Sequence, residues 1–239
     1  MYSKLKRLRP FALIGVLILC ASVRIGALLA FPSVFAFNQT GAVQGSDAYD
    51  IYARNLLATG VYGYTPGVPD ATIPPLYSYA LALVYAVFGR GYWQVGLFHT
   101  ALDMLSIALL YQISKRLMPN GETVGLLAGA LYALYPYLVF QNLTLIDTPI
   151  FMTLLYASVL ALALLRERET FDTGTALLAV TGGVVFGLAL LARPVIAPLA
   201  VCAALWFLFR LNWRQTVARL TVFGIAGLIV LTPWFVRNY

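Results

Sequence analysis

Charged and amide side chains are scarce in this 239-residue chain, and several lie inside or at the ends of long apolar segments. Ionisable groups are costly within a membrane, so residues in such positions are functional candidates by default. Arginine offers planar donors that suit a phosphate group, and a carboxylate beside it can act as a general base. Together with an apolar groove for a lipid tail, these groups could transfer a chemical group from a lipid phosphate. The candidates are Arg24, Asp47, Asp50, His99, Asp103, Asn142, Asp147, Arg193 and Arg237.

Each candidate also has a purely structural interpretation. Arg24 could extend its guanidinium to the lipid headgroups. His99 and Asp103 lie one helical turn apart, and a hydrogen bond that neutralises a buried carboxylate is the commoner role of such a pair. Asp50 could be a first-turn helix charge, and Asp147 could be only an N-cap. The arginines at the ends of later segments could anchor them at the membrane interface. A shared location of these residues would therefore indicate a site more strongly than any one of them.

The composition excludes several classes of protein. Hydrophobic residues make up 61% of the chain, charged residues only 10%, and the mean hydropathy is +0.83. A soluble domain averages about 25% charged residues. The chain therefore cannot cover a water-facing surface, which excludes a soluble globular protein, a disordered protein and a nucleic-acid-binding module. Glycine-rich phosphate loops are absent from the sequence, and a single histidine leaves no zinc-type His/Cys cluster.

Long apolar stretches predict an all-α integral membrane protein. A transmembrane helix needs roughly 20 mostly apolar residues. Seven segments meet that need, at about 10–31, 93–117, 122–142, 146–165, 174–192, 194–211 and 217–236. The first could instead be a cleaved signal peptide, but its length favours a retained span. The segment 74–88 has only 15 residues and fits a helix that lies along the membrane surface.

Basic residues decide the orientation, because cytoplasmic loops are enriched in lysine and arginine. Lys4, Lys6, Arg7 and Arg9 place the N-terminus inside. If 74–88 does not span, the later basic loops also lie inside, and the whole net charge of +7 falls on that side. We therefore predict seven spans, the N-terminus in and the C-terminus out, as a single module over 1–239. The first outer loop, 32–92, then carries two juxtamembrane amphipathic helices, at about 47–59 and 74–88.

On this topology the candidate residues lie on one side. Arg24, His99 and Asp103 fall in the outer parts of the first two spans, and Asn142 and Asp147 lie at an outer junction. The inner halves of the spans carry almost no charge. The sequence therefore predicts a polar cavity that opens toward the outer leaflet.

Six segments in a fixed order resemble a known superfamily. They are SDAYDIYARNLLATG, PPLYSYALALVYAVFG, YQISKRL, LTLIDTPIF, GLALLARP and TPWFVRNY. Together they resemble the GT-C membrane glycosyltransferases, and most closely the family 39 type that includes protein O-mannosyltransferases and the lipid A aminoarabinose transferase. The resemblance covers nearly the whole chain.

The resemblance implies a role for individual residues. Asp47 matches the acidic residue of the first outer loop, the general base or acceptor-orienting group, and Asp147 matches a second acidic residue of the same cavity. Arg193 matches the residue that binds the donor phosphate. Two further arginines are candidates for that phosphate, and five residues are expected to line the cavity or contact the acceptor. These are Arg24 and Arg237, and Asp50, Tyr77, His99, Asp103 and Asn142.

The implied activity is an inverting transfer of a sugar from a polyprenyl-phosphate-linked donor. The acceptor would be a lipid, a glycan or a protein, and the reaction would take place at the periplasmic or extracellular face of the cell (inner) membrane. Relatives differ in metal use, so a divalent metal is possible and no ligand is assigned. Nucleic acid is not an expected partner.

Two departures from the family pattern qualify these expectations. Many relatives carry a polar or charged residue before the paired prolines, where this chain has Ile73. Most also continue beyond the RNY motif, whereas the sequence ends at Tyr239, which leaves open a truncated gene, a fragment or a minimal form that needs a partner. The alternative is a non-catalytic protein on the same fold that binds or transports polyprenyl phosphate.

Overall fold

The computed structural model describes the backbone of residues 2–31, 46–209 and 211–238, and the side chains from Phe11 onward except Ser46. All regular structure in these ranges is helical. The helices are α1 (Tyr2–Ala30), α2 (Ser46–Thr59), α3 (Leu76–Phe88), α4 (Tyr92–Leu117), α5 (Gly121–Leu134), α6 (Pro136–Asn142), α7 (Thr148–Glu167), α8 (Thr173–Ala192), α9 (Pro198–Leu208) and α10 (Trp213–Asn238), with a 3₁₀ turn at Pro194–Ile196.

Five helices in this part of the chain are long and apolar enough to cross a membrane. They are Phe11–Ala30 within α1, and α4, α7, α8 and α10. The pair α5 and α6 is bent by 59° at its junction, and it would be a sixth span if the two helices form one broken crossing. The predicted span 194–211 is a 3₁₀ turn followed by the 11-residue helix α9, which is short for a membrane crossing.

Proline explains the break between α5 and α6. Pro136 has no backbone N–H to donate, and the residue before a proline is disfavoured in the helical region. Tyr135 accordingly adopts an extended conformation with φ −64° and ψ 114°. The predicted single helix over 122–142 is therefore interrupted, and the carbonyls at the end of α5 need partners other than the next helical turn.

The chain divides into two compact units, Met1–Thr153 and Leu154–Tyr239. In the first unit α4 packs against α1 and α5, and α2 packs against α3. Leu28, Ala53, Leu81 and Val95 bring four different helices into one buried apolar cluster, which also contains Tyr77. This cluster fixes the positions of the surface helices relative to the first two spans.

In the second unit α8 packs directly against α10. A Cβ atom added to Gly187 would lie 2.7 Å from the carbonyl oxygen of Gly227, and one added to Gly183 would meet the backbone of Phe223. Small residues four apart let helix backbones approach closely, which is how helices associate in lipid. Arg219 is buried and donates from Nη2 to the carbonyl oxygens of Arg168 at 2.8 Å and Thr170 at 3.2 Å, which ties α10 to the end of α7.

The helices α2 and α3 occupy the two segments for which surface helices are predicted. In α3, Tyr77, Leu81 and Tyr85 are buried, while Leu83 and Val87 are exposed. An apolar exposed stripe opposite a buried face suits a helix that lies against lipid.

Candidate functional site

Asp50 is the buried centre of an ion-pair cluster that joins α2, α3 and the turn before α4. Only 2% of the residue is exposed. Its carboxylate accepts from Arg90 Nε at 2.8 Å and Nη2 at 2.9 Å, from Arg54 Nε at 2.9 Å, and from the Tyr85 hydroxyl at 2.9 Å. The hydrogen bonds to Asp50 raise the pKa of Arg90. Burial and the Asp50 charge raise the pKa of Tyr85, so its hydroxyl remains a donor.

A second carboxylate, Asp70, organises the linker between α2 and α3. It accepts from the Tyr52 hydroxyl and from the backbone amides of Tyr64 at 2.7 Å and Thr72 at 3.2 Å. Although burial opposes ionisation, these hydrogen bonds lower the pKa of Asp70 below its ordinary value. Burial and the hydrogen bond to Asp70 raise the pKa of Tyr52 to about 12. The Asn55 amide also donates to the carbonyls of Gly63 and Tyr64.

Arg24 and Asp103 form a fully buried ion pair between α1 and α4, with Nε 2.5 Å from Oδ2. Arg24 also donates from Nη1 to the Ala133 carbonyl at 3.0 Å, and so caps the broken end of α5. The Tyr132 hydroxyl donates to Asp103 at 2.9 Å. The alternative in which Arg24 extends to the headgroups does not hold, because a buried carboxylate holds its guanidinium inside the unit. Asp103 likewise does not pair with His99.

His99 instead bridges α3 and α6. Its Nε2 lies 2.7 Å from the Tyr77 hydroxyl, and its Nδ1 lies 3.2 Å from the Asn142 carbonyl oxygen. Both His99 and Asn142 are completely buried, and Tyr77 is 1% exposed. The predicted cavity residues Tyr77, His99 and Asn142 therefore lie together, and the amide Nδ2 of Asn142 reaches Asp103 Oδ2 at 3.4 Å.

The two acidic residues expected to be catalytic lie on elements that meet at Tyr77. Asp47 is half-buried in the first turn of α2, and the same helix places the Tyr49 ring edge-on to Tyr77 with 4.9 Å between ring centres. Asp147 is buried where α7 begins. Burial and then the charges around it, including Asp147, raise the pKa of Tyr77 well above its ordinary value.

Asp47 and Asp50 differ sharply although one helical turn separates them. Asp50 accepts hydrogen bonds from two arginines and a tyrosine. Among the described residues, none forms a hydrogen bond or an ion pair with the Asp47 carboxylate. Asp50 is therefore committed to holding the surface helices together, whereas Asp47 keeps its capacity to accept a proton or a hydrogen bond.

Arg193 and Arg237, the predicted phosphate-binding residues, belong to the second unit. Arg193 is half-buried after α8, and its backbone amide caps that helix by donating to the Ala189 carbonyl at 2.8 Å. Arg237 lies near the end of α10, with its guanidinium 5.1 Å from the centre of the Trp234 ring. Among the described residues, no group of three or more His, Cys, Asp or Glu side chains is placed to hold a metal ion.

An apolar cavity of about 430 Å³ lies between α3 and α4. Gln94 is the one polar residue among those that line it. The others are Val84, Phe88, Trp93, Leu97 and Phe98. Its walls suit a hydrocarbon chain better than a polar group.

A family model described as dolichyl-phosphate-mannose-protein mannosyltransferase matches residues 72–236, which is 165 of the 239 residues. The chain belongs to this family. Membership implies membrane glycosyltransferase activity of the mannosyltransferase type. The long apolar helices of the chain agree with a multi-pass membrane protein. The matched range contains Tyr77, His99 and Asp147 and begins after Asp47. No curated protein and no solved structure matches the chain.

Four residues that hold the site together did not emerge from sequence reasoning: Tyr52, Asp70, Tyr85 and Arg90. A signal existed for one of them. A buried carboxylate such as Asp50 needs a cation, and Arg90 stands alone between two glycines at the end of the same outer loop.

Proposed function

We propose that the protein transfers a sugar from a polyprenyl-phosphate-linked donor to a lipid, glycan or protein acceptor at the outer face of the membrane. One observation carries this proposal beyond the family match. Helix α2, which bears Asp47, helix α4 with His99, and the start of α7, next to Asp147, all pack around the buried Tyr77. Asp47 and Asp147, the residues expected to take part in acid–base chemistry, therefore lie on helices that pack around Tyr77.

The proposed topology has seven spans with the N-terminus inside and the C-terminus outside. It counts α5 with α6 as one broken span and Pro194–Leu208 as another. Lysine and arginine in the last turns of α4 and α7 support this orientation. The surface helices α2 and α3 then face the periplasm or the extracellular space, and the protein lies in the cell (inner) membrane.

In the proposed reaction, Asp47 accepts the proton of an acceptor hydroxyl. The acceptor oxygen attacks the anomeric carbon from the face opposite the phosphate and forms the new glycosidic bond, while the bond from that carbon to the phosphate oxygen breaks. The electron pair leaves with polyprenyl phosphate, and the configuration of the sugar inverts. Asp47 suits the base because its carboxylate is half-buried and unoccupied among the described residues.

Other residues have supporting roles in this proposal. Arg193 and Arg237 bind the donor phosphate, and Asp147 orients the reacting hydroxyl. Arg24 is left out of phosphate binding, because its guanidinium is already bound to Asp103 and Ala133. The apolar cavity between α3 and α4 provides room for part of the polyprenyl chain.

The test is Asp47→Asn, assayed in proteoliposomes with a panel of polyprenyl-phosphate-linked sugars labelled in the sugar. Loss of the general base should lower the transfer rate by roughly 10²- to 10⁴-fold. Asp172→Asn is the matched control, because Asp172 is an exposed N-cap in the second unit that accepts from the Thr175 amide. That control should keep its activity.

Two results would contradict the proposal in different ways. Full transfer by Asp47→Asn would remove Asp47 from the chemistry. A wild-type protein that binds polyprenyl phosphate and never transfers a sugar would favour a carrier or transport protein on the same fold.

A further inference from the structure

The hydrogen bonds of His99 have a fixed direction. A carbonyl oxygen can only accept, so the proton of a neutral imidazole must lie on Nδ1, 3.2 Å from the Asn142 carbonyl. Nε2 is then an acceptor, and the Tyr77 hydroxyl, 2.7 Å away, donates its only proton to it. The ring has no exposed surface, so water does not compete for either nitrogen.

Asn142 connects this pair to the buried ion pair. Its carbonyl accepts from His99, and its amide Nδ2 lies 3.4 Å from Asp103 Oδ2. Asp103 is itself held by Arg24 at 2.5 Å. A continuous series of hydrogen-bonded groups therefore runs from the first span through α4 and α6 to the surface helix α3. We call this series, Arg24–Asp103–Asn142–His99–Tyr77, the buried relay.

The outer end of the buried relay lies against the proposed site. The Tyr49 ring of α2 packs edge-on to Tyr77, and the buried cluster that contains Tyr77 also holds Leu145 and packs against Ile150, on either side of Asp147. The Tyr77 hydroxyl has a single proton, which it donates to His99. Its oxygen therefore has only lone pairs to direct toward the turn before α7. The state of His99 thus controls whether the Tyr77 oxygen can accept a hydrogen bond from the backbone of Ile146, next to Asp147.

We propose that His99 is a positioning residue that orients the Tyr77 hydroxyl and so sets the geometry around Asp147 and α2 during sugar transfer, an inference that rests on the proposed glycosyltransferase function. Without an acceptor at the position of Nε2, the Tyr77 proton has no fixed direction and the turn before α7 loses its alignment. Neither His99 nor Tyr77 needs to exchange a proton with the substrate for this role.

Three variants separate positioning from simple structural support. Tyr77→Phe removes only the hydroxyl. His99→Asn can keep the hydrogen bond to the Asn142 carbonyl and loses the acceptor facing Tyr77. His99→Gln places an amide oxygen near the position of Nε2 and can accept from Tyr77 again. Tyr111→Phe is the matched control, because it removes a buried tyrosine hydroxyl from α4 outside the buried relay.

The expected result is a loss of about 10- to 100-fold in kcat for Tyr77→Phe and for His99→Asn, with an unchanged KM for the donor. The double variant should be no slower than the slower single variant, because both changes break one hydrogen bond. His99→Gln should recover most of the rate, and Tyr111→Phe should match the wild type.

Any of three results would overturn the positioning role: additive losses in the double variant, a wild-type rate for Tyr77→Phe, or equal losses in His99→Gln and His99→Asn. A wild-type protein that transfers no sugar would instead overturn the proposed function, and the positioning role with it. An active wild type with additive variants overturns the positioning role alone.

Discussion

The first unit buries charged and polar side chains at its centre, whereas the second brings two helix backbones together at glycines. Arg24, Asp103 and His99 are almost completely inaccessible in the first unit. In the second, Gly183 and Gly187 of α8 meet α10 without room for a Cβ atom. Buried polar groups in lipid are expensive and are retained mainly for function, while close packing of small residues needs no polar group. The second unit also buries one arginine, Arg219, whose guanidinium binds backbone carbonyls. We therefore expect the acid–base chemistry, as distinct from phosphate binding, to belong with the polar interior of the first unit.

The largest effect should come from leaving one half of the buried ion pair alone. Arg24→Leu should destabilise the first unit by about 3–5 kcal/mol, because the Asp103 carboxylate then remains buried without its cation. Denaturant unfolding in detergent micelles measures the change. The double variant Arg24→Leu with Asp103→Leu should recover most of the stability. If the double variant is as unstable as the single one, then packing and not charge holds this region.

A smaller effect is expected from the glycine contact of the second unit. Gly187→Leu should cost about 1–3 kcal/mol, since its side chain must enter the space occupied by the Gly227 backbone. Gly224→Leu is the matched control on α10, because a Cβ atom there meets nothing within 4 Å. The control should be neutral or slightly stabilising, as leucine favours a helix over glycine. Equal losses in both would show that close approach is not what the second unit needs.

The smallest effect should be a pH dependence confined to the linker between α2 and α3. Asp70 has a lowered pKa in the folded protein, so its contribution to stability is complete above its ordinary value of 3.8. That contribution is lost as the pH falls through the lower folded value. Hydrogen exchange of residues 60–73, corrected for the intrinsic effect of pH, should show faster opening in acid for the wild type.

Asp70→Asn should remove this acid-dependent change and open the linker at neutral pH. Asp172→Asn offers the contrast, because Asp172 is also a carboxylate with a lowered pKa, held by the Thr175 amide at the start of α8. Its loss should affect exchange in the second unit and leave the linker unchanged. A linker that responds to both substitutions would show that the two units do not respond separately to acid.

Local sequence signals predicted most of the helices. Asp47 in a first turn and Gly60 after the last apolar residue mark α2, and the structure has it at Ser46–Thr59. The segment 74–88 forms the 13-residue helix Leu76–Phe88. Such predictions succeed because hydrophobic length and end signals act within a few residues of each other. The break at Tyr135 was also visible in principle, since Pro136 follows it.

The partners of the candidate residues could not be predicted in the same way. The spacing of His99 and Asp103 on one helix suggests that they meet, yet each binds a residue from another helix. Arg24 and Asp103 are separated by 79 positions. Contacts of this kind depend on how helices pack and on which carbonyl a broken helix exposes. The local periodicity of the sequence predicts neither. Charge balance within the outer halves of the spans was the one signal that could have joined them.

The long separation between Arg24 and Asp103 also has a consequence for the synthesis of the protein. A chain leaves the ribosome from its N-terminus, so the arginine reaches the membrane 79 residues before its counterion. A lone arginine at the centre of a helix opposes insertion by roughly 2.5–3.5 kcal/mol, which is an upper bound for Arg24 in the outer part of its span. The remaining apolar residues of the first span must therefore outweigh this opposition unaided, and the charge is neutralised only when the second span arrives. The final partner, Asn142, emerges 39 residues after Asp103, so the buried relay closes only after α6 has been synthesised.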